Sequence, residues 1–228
     1  AYWPVLLVAL GLQLLVRGDI APSWQAHTFG ITRGSVQSAS IEVESGELDV
    51  QLHALHKSGR LIAGQYTARS RPELRVRNNH AVLRMQRGQS WWLSLADWDV
   101  GLANDLPWDV LMSSHLGELE ANLHDLQIAR AYVASGFGNV TITCPRSVDG
   151  PLFARSIFGT VRIALPARSR AIVHIKSSPF SRVRVDANRF QEVEPGVYAT
   201  HTLVEAGTDE ALDLEITAST VFGSIIIA

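Results

Sequence analysis

Cysteine is nearly absent from this chain of 228 residues, and Cys144 stands alone. No disulfide can close within it, and the cysteine count does not report a redox compartment. Charge is scarce as well. Charged residues make up 18% and the net charge is -2, so the basic surplus of a nucleic-acid-binding domain is missing. The densest cationic stretch, Arg69, Arg71, Arg75 and Arg77, alternates at its end with Leu74 and Val76. That is the pattern of a solvated strand face. There is no phosphate-cradling glycine loop, no nucleophile elbow and no zinc spacing. His53 and His56 are three apart, which on a strand sends them to opposite faces and suits no shared metal. Cys144 precedes Pro145 with no base placed beside it, so it reads as a structural thiol. Glycoside chemistry would need paired carboxylates lining a groove. The candidates Glu118, Glu120 and Asp125 are followed one repeat later by Asn139, Thr141 and Arg146, so the acidic ladder stops. The expectation is a noncatalytic protein with no cofactor and no metal.

One long apolar run is present. "AYWPVLLVALGLQLLV" carries no charge before Arg17. A membrane span needs roughly 20 apolar residues. The run falls slightly short, but the chain starts inside it, so residues 1–17 are expected to be a transmembrane helix truncated upstream. Tyr2 and Trp3 suit one interface and Arg17 the other. The bilayer is therefore an expected partner and the cell membrane the expected location. Arg17 leans the following domain toward the cytoplasm. Residues 18–35, with scattered Gly, Pro and Ser, read as a linker.

What remains repeats itself. "FGNVTITCP" at 137–145 returns as "FGTVRIALP" at 158–166, and the chain closes on "FGSIIIA" at 222–228. Gly138 and Gly159 are 21 residues apart, and Gly223 follows 64 later, close to three such periods. "FSRVRV" at Phe180 and "LGELEANL" at Leu116 supply further copies, whereas the copy expected near His201 is not convincing. Three and five residues after each leading Phe or Leu stand apolar pairs such as Val140 with Ile142, Val161 with Ile163 and Ile225 with Ile227. Such alternation marks a half-buried strand, and a period near 21 fits one turn of a stacked β-solenoid. The fold class is therefore all-β, a solenoid-like stack over residues 36–228 preceded by the membrane helix. Phe137, Phe158 and Phe222 are expected to stack inside it, with Gly138, Gly159 and Gly223 permitting tight corners. The last strand is expected to form an open edge. Ile226 would then point outward where earlier copies have Thr141 and Arg162, and would need a cover. "SGELDVQLHAL" at 45–55 resembles "LGELEANLHDL" at 116–126, so the first half is expected to follow the same plan less regularly. Trp91, Trp92, Trp98 and Trp108 cluster there and are candidates for a contact surface.

These residues together resemble the toastrack domain of LiaF-like cell-envelope stress proteins. The resemblance rests on Trp98, Pro107, Gly117 with Glu118, Leu123 to Leu126, Gly136 with Gly138, and Pro145. The leading apolar run is similar to the membrane segments fused to that domain. The first glycine of Gly-x-Gly is missing at Ile157 and Val221, so those corners are expected to be built differently. The resemblance implies a membrane-anchored module that binds and modulates protein partners, such as a sensor kinase. The alternative is an accessory subunit of a larger membrane complex.

If the uncharged run anchors the protein, full-length chain stays with membranes through a carbonate wash. Release into the supernatant would refute the anchor.

Overall fold

The computed structural model describes residues 26–57, 59–67, 70–87, 97–206 and 212–228. The expected span over residues 1–17, and Trp91 and Trp92, lie outside them. Among the described residues no helix is long and apolar enough to cross a membrane.

The described chain is all-β. In chain order the strands are β1 (Ala26–Thr32), β2 (Ser38–Glu44), β3 (Val50–Leu55), β4 (Arg60–Thr67), β5 (Glu73–Arg77), β6 (His80–Gln86), β7 (Trp98–Ala103), β8 (Pro107–Ser114) and β9 (Leu119–Asn122). There follow β10 (Gln127–Phe137), β11 (Val140–Thr143), β12 (Leu152–Ala164), β13 (Ala171–Ser177), β14 (Ser181–Val185), β15 (Phe190–Glu194), β16 (Val197–Thr200), the helix α1 (His201–Ala206) and β17 (Leu214–Ile227). The stretch "ELEANLHDLQIARAYV" at 118–133, whose residues could be forced into a helix, forms β9, a turn and the start of β10. The segment expected as linker begins the domain instead, because β1 pairs antiparallel with β4.

Parallel pairing arranges these strands in two ladders. One runs β6–β2–β8–β10–β12–β17–β13. The other runs β7–β3–β9–β11–β12–β17–β14. The long strands β12 and β17 pass through both. The 21-residue period is the pairing register itself: Leu119, Val140 and Val161 are successive partners, as are Phe137 and Phe158. One apolar cluster extends from Val36 to Ile227 between the ladders.

The spatial order departs from chain order at both ends. The first turn, β2 with β3, lies inside β6 with β7. The last strand, β17, is inserted between β12 and the turn made by β13 and β14. The closing strand is therefore not an edge. Ile226 is flanked by Arg162 and Arg184 and is half-buried, and the expected cover is supplied by residues 181–185 of the same chain. Arg170 fastens this insertion: its guanidinium and backbone N–H donate to the Asp213 carboxylate at 2.9–3.2 Å. The ladder ends carry antiparallel additions, β5 on β6 and β4 on β7 at one end, β16 with β15 on β13 at the other. The β5–β6 hairpin turns on Asn78 and Asn79, both at positive φ, as a two-residue hairpin requires. The copy sought near His201 is α1 instead.

The corners between the ladders explain the glycines. A Cβ on Gly138 would overlap the carbonyl oxygen of Gly117, one on Gly159 that of Gly138, and one on Gly223 that of Gly159. Each of those carbonyls accepts a hydroxyl from the same neighbouring turn: Ser135 donates to Gly117 at 3.1 Å, Ser156 to Gly138 at 2.9 Å and Thr220 to Gly159 at 3.5 Å. The hydroxyls are buried, so the corner satisfies backbone oxygens that a dry interior would leave unpaired. Ile157 and Val221 do not alter this geometry. Ser135–Ser156–Thr220 and Phe137–Phe158–Phe222 remain partners across those corners.

Gly159→Ala should cost about 2–4 kcal/mol in urea unfolding, because a backbone oxygen must move. Ser156→Ala should cost about 1–2 kcal/mol through the lost buried hydrogen bond. Equal, negligible costs would contradict the corner.

Candidate functional site: an exposed aromatic corner and a neighbouring groove

Parallel in-register strands lie about 4.8 Å apart, so identical side chains one turn apart must stack. Phe137 and Phe158 do so with ring centroids 4.6 Å apart and planes 3° apart, and Phe158 and Phe222 at 4.7 Å and 7°. Phe180 continues the column on Phe222 at 5.4 Å, in spatial rather than chain order. The predicted stacking holds, but its location does not. The rings lie on the outer corner: Phe137 is 53% exposed, Phe158 41%, Phe222 40% and Phe180 72%. The cause is visible in the repeat. Phe137, Phe158 and Phe222 each stand three residues before a buried Val or Ile, and an odd spacing on a strand reverses the face. The corner also turns two successive residues outward, as at Ile157 and Phe158.

A groove lies on the outer face of the first ladder. Register places Ser40, Asp109 and Arg130 in one row, and Glu42, Leu111, Tyr132 and Phe153 in the next. Its volume is about 380 Å³. Arg130 grips Asp109 with two hydrogen bonds of 2.9 and 3.1 Å, which raises the pKa of the guanidinium. Tyr132 and Phe153 meet at 6.2 Å with planes tilted 49°. Unlike the closed phenyl column, this groove has apolar walls and a charged rim. Sequence reading missed it, since its rows come from four separate turns.

The remaining candidates separate. Trp98 and Trp108 are fully buried, so they pack the core rather than form a contact surface; Trp108 Nε1 donates to the Ala103 carbonyl at 2.8 Å. Both sit on inward positions of their strands. Burial pushes the Cys144 thiol up to about 12, which keeps it protonated at neutral pH. His53 faces Asp99 at 3.1 Å and His56 is exposed. Glu118 accepts from Asn139 Nδ2 at 2.6 Å, and Glu120 is in register with Thr141. His124 and Asp125 pair at 2.9 Å on an exposed turn. Among the described residues no three His, Cys, Asp or Glu side chains gather to hold a metal ion.

Phe158→Ala should cost about 1–2 kcal/mol in urea unfolding, the worth of aromatic pairs at a half-exposed site. A loss of about 3–5 kcal/mol, as for a core Phe, would put the ring back inside.

Comparison with known proteins completes the description. The profile of a family described as "N-terminal domain of toast_rack, DUF2154" matches residues 26–149. Among solved structures, one from Clostridium sporogenes, named a "putative cell adhesion protein", superposes with a TM-score of 0.75 at 14% identity. That match covers 89% of this chain and 97% of the other. A "putative adhesin" from Bacteroides fragilis gives a TM-score of 0.35 at 9% identity, covering 91% and 99%. No curated protein matches the chain.

Proposed function

The chain belongs to the toast_rack family, and on that footing we propose that it is a noncatalytic binding module that holds and modulates a membrane partner. The observation that carries this reading is the groove over Leu111, Tyr132 and Phe153. It offers apolar walls to a partner's side chain, while the Asp109–Arg130 pair and Ser40 offer polar contacts to its backbone. A parallel stack with in-register turns is rigid, so the groove is preorganised and little ordering entropy opposes binding. The name of the Clostridium sporogenes structure, which speaks of adhesion, accords with a surface that binds.

In its finer form, the partner is a sensor kinase of the envelope-stress type. The resemblance to LiaF-like proteins and the uncharged N-terminal run support that choice, since both put the module at the membrane where such kinases sit.

A photocrosslinking residue at Tyr132, introduced in the native membrane, should join the protein to a kinase. Leu111→Glu should abolish the adduct and alter kinase signalling, because it places a charge against a dry contact. Unchanged signalling in Leu111→Glu, with the domain still folded, would refute the proposal.

A further inference from the structure

Charge is divided unevenly along the stack. Strands β2, β3, β7, β8 and β9 carry Glu42, Glu44, Asp99, Asp109 and Glu120, with no Lys or Arg. Strands β12, β13, β14 and β17 carry Arg155, Arg162, Lys176, Arg182 and Arg184 against a single carboxylate, Glu215. The cationic strands are those that present Phe158, Phe222 and Phe180. All five cations are exposed, and among the described residues no ion pair engages any of them. Glu215 lies seven residues along β17 from Phe222, about 23 Å away on an extended strand, and it faces His174 at 3.9 Å.

The register sets the cations on both sides of the rings. On the first ladder, Arg155, Ser219 and Lys176 form one row. On the second, Thr160, Ser224 and Arg182 form the next, followed by Arg162, Ile226 and Arg184. The phenyl column runs along the corner between these rows. Its rings follow one another at 4.6–5.4 Å, too close for a partner's side chain to enter between them. They expose ring edges along an outward corner instead of a pocket.

We propose that this corner is a docking surface for an anionic lipid bilayer. Ring edges sink to the level of the headgroups, and the flanking cations meet lipid phosphates on either side. Basic residues beside an anionic leaflet are attracted to it, and apolar side chains at the interface add the hydrophobic part. The carboxylates on β2, β7, β8 and β9 give those strands no such attraction. The bilayer therefore fixes the orientation of the domain. This contact is separate from the apolar run at residues 1–17 and independent of the groove's role.

The test uses the full chain carrying Ser224→Cys, labelled with an environment-sensitive fluorophore; buried Cys144 does not compete for the label. The protein is mixed with vesicles of phosphatidylcholine alone or of phosphatidylcholine with phosphatidylglycerol. A blue shift that requires phosphatidylglycerol, fades at high salt and disappears in Arg155→Glu/Arg182→Glu/Arg184→Glu supports the proposal. The same label on exposed Gln51→Cys, in register with Asp99 and Glu120, should not shift. Because the altered side chains are exposed, unchanged unfolding midpoints will confirm that the triple variant folds. No shift, an equal shift in phosphatidylcholine alone, or a shift that follows protein concentration without lipid would overturn it. The last would mean that the cationic corner meets the carboxylates of β2, β7, β8 and β9 on a second copy. Binding of the label region to a polyglutamate peptide but not to phosphatidylglycerol would assign the corner to an acidic protein segment and equally overturn it.

Discussion

The structure depends on one close approach, the packing of a glycine backbone against the carbonyl oxygen of the glycine in the turn before. At Gly138, Gly159 and Gly223 there is no room for even one carbon atom. Where a side chain is excluded, turns can close to the strand spacing at the corner as well as along the flats. The hydroxyls of Ser135, Ser156 and Thr220 then reach the same oxygens. The outer side of the corner follows from the inner one. With backbones fixed at strand spacing, the phenyl groups beside each glycine are forced to stack, and because the inside of the corner is filled by hydroxyls they stack outside.

Edge protection is the second constraint. A stack of parallel turns ends in unpaired strands that invite association. Here both outermost turns come from the middle of the chain, β6 with β7 and β13 with β14, while the first turn and the apolar closing strand lie within. The strand least suited to be an edge, "SIII", is thereby paired on both sides. β14 pairs with β17 alone among the described strands, and it carries Arg182 and Arg184, charges of the kind that discourage further pairing.

Much of this was legible in the sequence. The period of 21 became the pairing register, and alternation after each Phe named buried residues such as Val140, Ile142, Val161, Ile163, Ile225 and Ile227. The toastrack part of the resemblance drawn from Trp98, Pro107, Gly117 and Gly138 agrees with the profile match over residues 26–149, which does not reach to a LiaF type. What escaped was order and sidedness. A parallel ladder has no turn to signal its neighbour, so the spacing from Gly159 to Gly223 fits a chain that stacks in sequence and one that steps back inside. The face of Phe158 was encoded by its odd spacing to Val161, but hydrophobicity argued for the core. Trp98 and Trp108 show the converse, since their strand positions point inward although aromatic clusters invite an interface reading. The groove at Leu111, Tyr132 and Phe153 assembles only once the register joins four turns.

The order β12–β17–β14 is the claim from which the buried closing strand, the ring column and the cationic corner all follow. Paired cysteines measure it directly, in a Cys144→Ala background under mild oxidation. Adjacent strands bring Cα atoms to about 5 Å, within disulfide reach, whereas strands two apart are about 10 Å away and beyond it. Arg162→Cys should therefore crosslink with Ile226→Cys, and Ile226→Cys with Arg184→Cys, while Arg162→Cys with Arg184→Cys should not. A disulfide between positions 162 and 184, with none from 162 to 226, would mean that the turns stack in chain order and would contradict the account.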